Sequence, residues 1–195
     1  MKNITRILLV GLLVITSTAL FAEAKAKKVE YLGLFNMKEK KYIVRSGDKV
    51  IEIKRTMTSC GKNKGWFQPF VPAKGITPVT EEDMLHALND KNAIVVDMRT
   101  EDYYLKETIP TAINIPYTEM GVRLNDVGCK EDGNKWDCSN APKIYGFCNG
   151  PVCPQSPMAM REMIRNGFPA NKIYYYRGGM LDWDALGLTT VKGEF

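Results

Sequence analysis

Two cysteines separated by four residues carry the clearest chemistry in this 195-residue sequence. Cys148 follows the largely apolar run Lys143–Phe147, which predicts a buried strand. Shortly after Cys153, the pair Ser156-Pro157 is typical of a helix start, with serine as the N-cap residue and proline at the first helical position. A cysteine between a strand end and a helix N-terminus has its thiolate stabilised by free N–H groups and by the helix dipole. We therefore expect Cys148 to be largely ionised near neutral pH and to act as a nucleophile.

The backbone of the loop after Cys148 predicts an anion-binding site. Pro151 and Pro154 have no N–H, so they stiffen the loop and reduce the number of its donors. The remaining N–H groups surround the place where an anion would lie beside Cys148. We expect the binding loop to consist of Asn149, Gly150, Val152, Cys153, Gln155 and Ser156.

The other cysteines have different predicted roles. Cys153 has three interpretations: a resolving thiol that forms a disulfide or trisulfide with Cys148, a second sulfur-relay site, or a structural partner of Cys60. Cys129 and Cys138 bracket a polar loop, and we predict a disulfide between them. Since the cysteine count of five is odd, Cys60 is expected to be a free thiol or a cross-link to the core.

Other catalytic classes are disfavoured by composition. The single histidine, His86, leaves little room for His-based catalysis or a multi-His metal site, and no Cys-x2-Cys pair suggests zinc. We therefore predict neither a metal nor another cofactor. The net charge of +5 is not concentrated in a basic block, which argues against a nucleic-acid partner.

Apolar runs that alternate with helix signals predict the fold around the loop. We expect an α/β domain with an open parallel sheet flanked by helices on both faces. The predicted strands are Ala93–Asp97, Ala112–Ile115, Lys143–Phe147 and Ile173–Tyr176. The predicted helices run from Thr80 to about Leu88, around Glu101–Lys106, from Ser156 to Asn166 and from Met180 to Leu186, and Gly121–Pro142 is expected to be a polar insertion.

A small β-rich extension is predicted before this domain, so that residues 25–75 form the extension and 76–195 the domain. The extension contains a predicted strand at Val29–Phe35 and a hairpin made by Tyr42–Arg45 and Val50–Arg55. Three aromatic residues follow the hairpin and are expected to dock the extension on the domain, or alternatively to form a partner surface. They are Trp66, Phe67 and Phe70.

The first 24 residues have the pattern of a cleavable secretory signal peptide. Lys2 and Arg6 precede the uncharged stretch Ile7–Ala22, which is shorter than the roughly 20 apolar residues of a membrane span. Small residues then offer cleavage after Ala22 or Ala24. We predict a periplasmic or secreted protein with no stable membrane insertion after cleavage; an uncleaved anchor helix is the alternative.

Three further stretches resemble motifs of the rhodanese family of sulfurtransferases. They are Ile94–Arg99 (Ile-Val-Val-Asp-Met-Arg), Thr108–Pro116 (Thr-Ile-Pro-Thr-Ala-Ile-Asn-Ile-Pro), and Tyr176–Trp183 with Gly187-Leu188. The resemblance implies a rhodanese-like fold and a Cys148 persulfide. It also implies that Asp97 and Arg99 brace the loop. The loop Cys-Asn-Gly-Pro-Val-Cys departs from the family pattern in its length, its second cysteine and its lack of a basic residue, so we expect Arg177 to supply a cation.

The resemblance implies an exported enzyme that takes sulfane sulfur from thiosulfate, a polysulfide or a persulfide. The acceptor would be a thiol, an anion or a sulfur-carrier protein. Two alternatives remain open. One is a thiol–disulfide redox protein that uses Cys148 and Cys153, and the other is a non-catalytic rhodanese-like binding module.

Overall fold

The computed structural model describes residues 41–53, 67–133 and 135–194. The predicted signal peptide, the strand predicted at Val29–Phe35, and the residues Cys60 and Trp66 lie outside the described residues. Across the part of the chain that is described, no helix is both long enough and apolar enough to cross a membrane.

Nine strands and four α-helices make up the described structure. The strands are β1 (Tyr42–Ser46), β2 (Lys49–Ile53), β3 (Thr77–Val79), β4 (Ala93–Asp97), β5 (Ile113–Asn114), β6 (Lys130–Asp132), β7 (Lys135–Asp137), β8 (Lys143–Phe147) and β9 (Ile173–Tyr176). The helices are α1 (Glu81–Ala87), α2 (Glu101–Lys106), α3 (Gln155–Arg165) and α4 (Gly179–Ala185).

A five-stranded sheet with the order β3-β9-β8-β4-β5 forms the centre of the protein, and all of its pairings are parallel. The three inner strands are largely buried, because they are covered from both sides. Helix α3 packs on one face through Ala159, Met160 and Met163. Helices α1 and α4 cover the other face, where Met84 and Trp183 are buried. The predicted α/β fold is confirmed.

Strand β3 was not predicted from the sequence. It contains Pro78, which removes a backbone donor and is tolerated at the edge of a sheet rather than in its middle. β3 is such an edge strand, and its one sheet partner is β9, with Thr77 opposite Tyr174. Immediately after β3, Thr80 and Asp83 form a capping box that starts α1.

The segment predicted as a polar insertion contributes to the core. A short 3-10 turn at Leu124–Val127 buries Leu124 and Val127 against the α3 side of the sheet. The β6–β7 hairpin follows, and Cys129 and Cys138, joined in a disulfide bond, close its base. The insertion is therefore a cross-linked hairpin with a buried base.

Removing this disulfide is expected to lower the free energy of unfolding by roughly 2–3 kcal/mol, because it closes a loop of about ten residues in the unfolded chain. Urea unfolding of a Cys129→Ser/Cys138→Ser double variant, compared with the parent protein, measures the loss. Treatment of the parent protein with a reductant should give a loss of the same size. An unchanged unfolding midpoint in the double variant would contradict the prediction.

The described part of the N-terminal region contains a hairpin and a docked segment. Strands β1 and β2 pair antiparallel around the turn Gly47-Asp48, which confirms the predicted hairpin. Its large apolar side chains, including Val50 and Ile51, are exposed. The later residues 67–75 reach the main domain, where the N–H of Gln68 donates to the carbonyl oxygen of Pro151 at 2.8 Å. This contact joins the region before the sheet directly to the cysteine loop.

Candidate active site

The cysteine loop is fixed at the carboxyl end of β8 by the start of α4. The N–H of Met180 donates to the carbonyl oxygen of Cys148 at 3.0 Å, and the N–H of Leu181 donates to that of Asn149, also at 3.0 Å. This close approach requires Gly179, which has φ +57° and no room for a side chain against the loop backbone. The glycine pair of the C-terminal motif therefore positions the loop.

Helix α3 begins two residues earlier than predicted, at Gln155 instead of Pro157. Its N-cap residue is Pro154, so Ser156 lies inside the first turn and is fully buried. The expectation that Ser156 caps the helix is wrong. Its hydroxyl instead donates to the sulfur of Cys148 at 3.0 Å. Pro157 still fits, since N–H groups in the first turn have no partner within the helix.

Cys148 and Cys153 form a pair of free, buried thiols. Their residues are 1% and 5% exposed, respectively. The Cys148 sulfur lies 3.4 Å from the carbonyl oxygen of Cys153, and the two thiols are close enough for each to shift the pKa of the other. The structure thus places Cys153 in direct contact with the Cys148 sulfur.

The loop N–H groups are divided between the two sulfurs. Those of Asn149 and Gln155 favour negative charge on Cys153 and lower its pKa, and that of Ser156 acts in the same direction on Cys148. The N–H of Cys153 is used inside the loop, where it donates to the carbonyl oxygen of Gly150 at 2.9 Å. This N–H group is therefore not available to donate a hydrogen bond to a bound anion, which is the role that the sequence had predicted for it.

Negative charge is favoured on Cys153 rather than on Cys148. Burial raises the pKa of Cys148 well above the usual cysteine value. The adjacent Cys148 thiol, together with the backbone N–H groups of Gln155 and Asn149 and the charge of Arg99, lowers the pKa of Cys153 to about 7. The expectation that Cys148 is largely ionised is wrong. Burial raises the pKa of Cys148 by more than its interaction with Ser156 lowers it.

The thiol pair predicts a pH-dependent reactivity at Cys153. The Cys153 thiolate should appear as the pH rises through about 7, so its alkylation by iodoacetamide should accelerate over that range. Peptide mass spectrometry of the modified site follows the rate. In Cys148→Ala, which lacks the neighbouring thiol, the profile should move to higher pH. An identical profile in both proteins would contradict the coupling.

Asp97 and Arg99 form a buried ion pair at the end of β4. The guanidinium group donates to both carboxylate oxygens, with the Nη2–Oδ2 distance at 2.6 Å, and Thr108 donates to the same carboxylate at 2.8 Å. Arg99 also contacts the carbonyl oxygen of Glu107 and the side-chain oxygen of Asn149, the latter at 3.4 Å. Asn149 follows Cys148, so the pair braces the loop.

Arg177 contacts residues 67–70, which precede the first strand of the sheet. Its Nε donates to the carbonyl oxygen of Gln68 at 2.8 Å. Its guanidinium group lies 5.2 Å from the ring centre of Phe67 and 4.4 Å from that of Phe70. These contacts differ from the predicted role of Arg177 as the loop cation. The charge that acts on the thiol pair is that of Arg99.

Sequence reasoning did not identify Tyr175 as a residue of this site. Its side chain is fully buried and its hydroxyl has no hydrogen-bond partner that meets ordinary geometry. The electrostatic influence of Ser156 and Cys148 on this phenol places it beside them, and burial raises its pKa above the usual range. Tyr175 and Tyr176 are both buried, on opposite faces of the sheet, and only the fold brings Tyr175 to the cysteine.

A cleft of about 250 Å³ lies on the Arg99 side of the loop. Asn149 and Leu181 line its inner wall, and Lys106 adds a second cation at the rim. Among the described residues, no group of histidine, cysteine and acidic side chains is arranged to hold a metal ion. The side chain of His86 is exposed and lies 3.9 Å from that of Glu82, one turn earlier on α1.

Comparison with known proteins agrees with this architecture. Residues 80–186 match the family model described as the rhodanese-like domain. The chain belongs to the rhodanese-like domain family. In this family member, the matched region contains β4, the cysteine loop, α3 and α4, which together make up the site described above.

Individual relatives are distant. The chain is 28% identical over 115 residues to the HTH-type transcriptional regulator Rv0324 of Mycobacterium tuberculosis, which covers 59% of this chain and 45% of that protein. It thus spans less than half the length of this curated relative. A thiosulfate sulfurtransferase from Pseudomonas aeruginosa is 20% identical with a TM-score of 0.48, covering 61% of this chain and 21% of that one. A rhodanese from E. coli is 24% identical with a TM-score of 0.37, covering 52% and 99%.

Proposed function

We propose that this rhodanese-like protein is an exported sulfurtransferase that carries sulfane sulfur as a persulfide on Cys148. The observation that carries the proposal is the position of Cys148. It lies at the end of a central parallel strand and before the N-terminus of α3, and its sulfur accepts a hydrogen bond from Ser156. Such a junction suits a nucleophile that must hold an added anionic sulfur.

Loading of Cys148 begins with loss of its proton. The neighbouring Cys153 thiolate is the base of the loop, so it accepts the proton of the Cys148 thiol. The Cys148 thiolate then attacks the outer sulfur of a donor such as thiosulfate. A sulfur–sulfur bond forms to Cys148, the bond within the donor breaks, and sulfite leaves with the electron pair of that bond. A polysulfide or a persulfide loses a shorter polysulfide or a thiolate in the same way.

Three features support binding of an anionic donor. The N-terminal end of the eleven-residue helix α3 faces the loop with its positive dipole end. Arg99 lies next to the thiol pair. The buried hydroxyl of Tyr175 makes no hydrogen bond of ordinary geometry and interacts electrostatically with Cys148, so it is a candidate donor to an added sulfur. An acceptor thiol or a sulfur-carrier protein then removes the sulfur in the second half-reaction.

Mass spectrometry of the reduced protein tests the proposal. After incubation with thiosulfate or polysulfide, the peptide that contains Cys148 should gain the mass of one sulfur atom, and the Cys148→Ala variant should gain none there. Cyanide treatment should remove the added sulfur from the parent protein as thiocyanate. Absence of the adduct with every donor would overturn the proposal and favour a binding module without catalysis.

Export is the second part of the proposal. The pattern of residues 1–24 supports a cleaved signal peptide, and a disulfide such as Cys129–Cys138 persists in an oxidising compartment. The mature chain would then consist of the extension 25–75 and the domain 76–195. N-terminal sequencing of protein recovered from the periplasm or the medium should start at Glu23 or Lys25. Recovery of the chain only in the cytoplasm with its first residues intact would contradict export.

A further inference from the structure

The contact between the two loop cysteines points to a fate for the transferred sulfur. We propose that Cys153 resolves the Cys148 persulfide, forming a Cys148–Cys153 disulfide and releasing the sulfur as hydrosulfide. This inference rests on the sulfur-transfer function proposed above and names its product. The domain would thus act as a reductase of sulfane sulfur, with an external dithiol as the second substrate.

The geometry of the loop supplies the first argument. Cys153 lies beside Cys148 because the loop turns between them, and the N–H of Cys153 donates to the carbonyl oxygen of Gly150 at 2.9 Å. The Cys153 sulfur lies 3.6 Å from the side-chain oxygen of Gln155. The Cys148 sulfur is in contact with Cys153, at 3.4 Å from its carbonyl oxygen, and the two thiols are close enough to influence each other electrostatically. Therefore no large movement of the chain is needed to join the two sulfurs.

The choice between the two sulfurs of the persulfide follows from the leaving group. Attack on the outer sulfur would expel the Cys148 thiolate, whereas attack on the Cys148 sulfur expels hydrosulfide. The better leaving group in thiol exchange is the one with the lower pKa. Because burial raises the pKa of Cys148, hydrosulfide leaves more readily. The preferred product is therefore the disulfide rather than a persulfide moved to Cys153.

The step balances without any further reagent. After loading, Cys148 bears a persulfide anion and Cys153 holds the proton that it accepted. The proton passes to the outer sulfur, and the Cys153 thiolate attacks the Cys148 sulfur. One sulfur–sulfur bond forms between the cysteines, and the bond to the outer sulfur breaks, so that hydrosulfide leaves with its electron pair. Two thiols are oxidised to a disulfide while one sulfane sulfur is reduced, and an external dithiol restores the thiols for the next turnover.

A single-turnover experiment tests this step. The full-length reduced protein, freed of reductant, is incubated with thiosulfate or inorganic polysulfide, and hydrosulfide is trapped by alkylation. The parent protein should release one equivalent of hydrosulfide per loaded chain, and non-reducing peptide mapping should show Cys148 bonded to Cys153. In Cys153→Ser, loaded to completion at alkaline pH, the added sulfur should stay on Cys148. Its hydrosulfide release should fall to the level of the Cys148→Ala blank.

Two controls separate the outcomes. Cys60→Ser should behave as the parent protein, and loss of hydrosulfide release in that variant would assign the resolving role to Cys60 and overturn the inference. If the parent protein keeps its sulfur on Cys148 or carries it on Cys153, the inference fails although sulfur transfer stands. If neither the parent protein nor Cys153→Ser gains sulfur on Cys148, the proposed function itself fails.

Discussion

Replacing Gly179 by alanine is expected to lower the rate of sulfur loading on Cys148 by about 100-fold or more, since small displacements of reacting groups have effects of that order. A Cβ atom at this position would overlap the carbonyl oxygen of Cys148 and lie 2.8 Å from the backbone nitrogen of Gly150. Both atoms belong to the loop backbone, which cannot yield without moving Cys148. The substitution should also cost roughly 3 kcal/mol or more of unfolding free energy, from backbone strain and overpacking together.

Gly187→Ala is the matched control for this prediction. Gly187 has φ +68°, close to the +57° of Gly179, but a Cβ there would meet nothing within 4 Å. Gly187→Ala should therefore lose about 1–2 kcal/mol of unfolding free energy through backbone strain alone. Its rate of sulfur loading on Cys148 should equal that of the parent protein. Stopped-time mass spectrometry gives the rates, and urea unfolding gives the stabilities. Equal loading rates in the two variants would show that the close approach at Gly179 does not position the loop.

The second large effect is expected for Asp97→Ala, which should destabilise the protein by about 3–5 kcal/mol. Asp97 is fully buried, and its loss would leave the guanidinium group of Arg99, only 4% exposed, without its carboxylate. The hydroxyl of Thr108 would lose its acceptor as well. Because Arg99 also holds Asn149, we expect the loop to loosen and loading of Cys148 to slow in whatever fraction stays folded.

Asp90→Ala is the appropriate comparison, since it removes a carboxylate from an exposed pair. Asp90 lies 3.3 Å from Lys143, and both side chains are open to solvent. Exposed ion pairs of this kind contribute little to the free energy of unfolding, so the unfolding midpoint of Asp90→Ala should be close to that of the parent protein. Circular dichroism during denaturation compares the two variants. If Asp97→Ala were as mild as Asp90→Ala, the buried pair would not be the brace that its contacts indicate.

The strands of the sheet centre could be predicted almost to the residue. β4, β8 and β9 are continuous apolar runs, and the structure gives them the predicted limits. β3 was missed because three residues with a proline carry no strand signal of their own. Its pairing depends on the neighbour β9, which is almost one hundred residues later in the chain, so only the assembled sheet defines it.

The candidate site was predictable as a location but not as an electrostatic arrangement. The order of strand, cysteine and helix placed Cys148 correctly. Which sulfur carries the charge depends on the direction of each N–H in the loop. That direction is set by turns inside the loop and by the hydrogen bonds from the first turn of α4 to the loop backbone. Ser156 shows the same limit, because the helix starts two residues earlier than predicted, and the residue expected to cap it donates to the Cys148 sulfur instead.

The contact between Gln68 and Pro151 shows that residues outside the matched family region help to hold the cysteine loop. The matched family region begins at residue 80, whereas the sheet already begins at Thr77 and the loop is held from Gln68. A fragment that starts at the family boundary would expose the side of β9 and release Arg177 from its aromatic neighbours. The region matched by the family model is therefore shorter than the region that packs together in this chain, and the cysteine loop belongs to both.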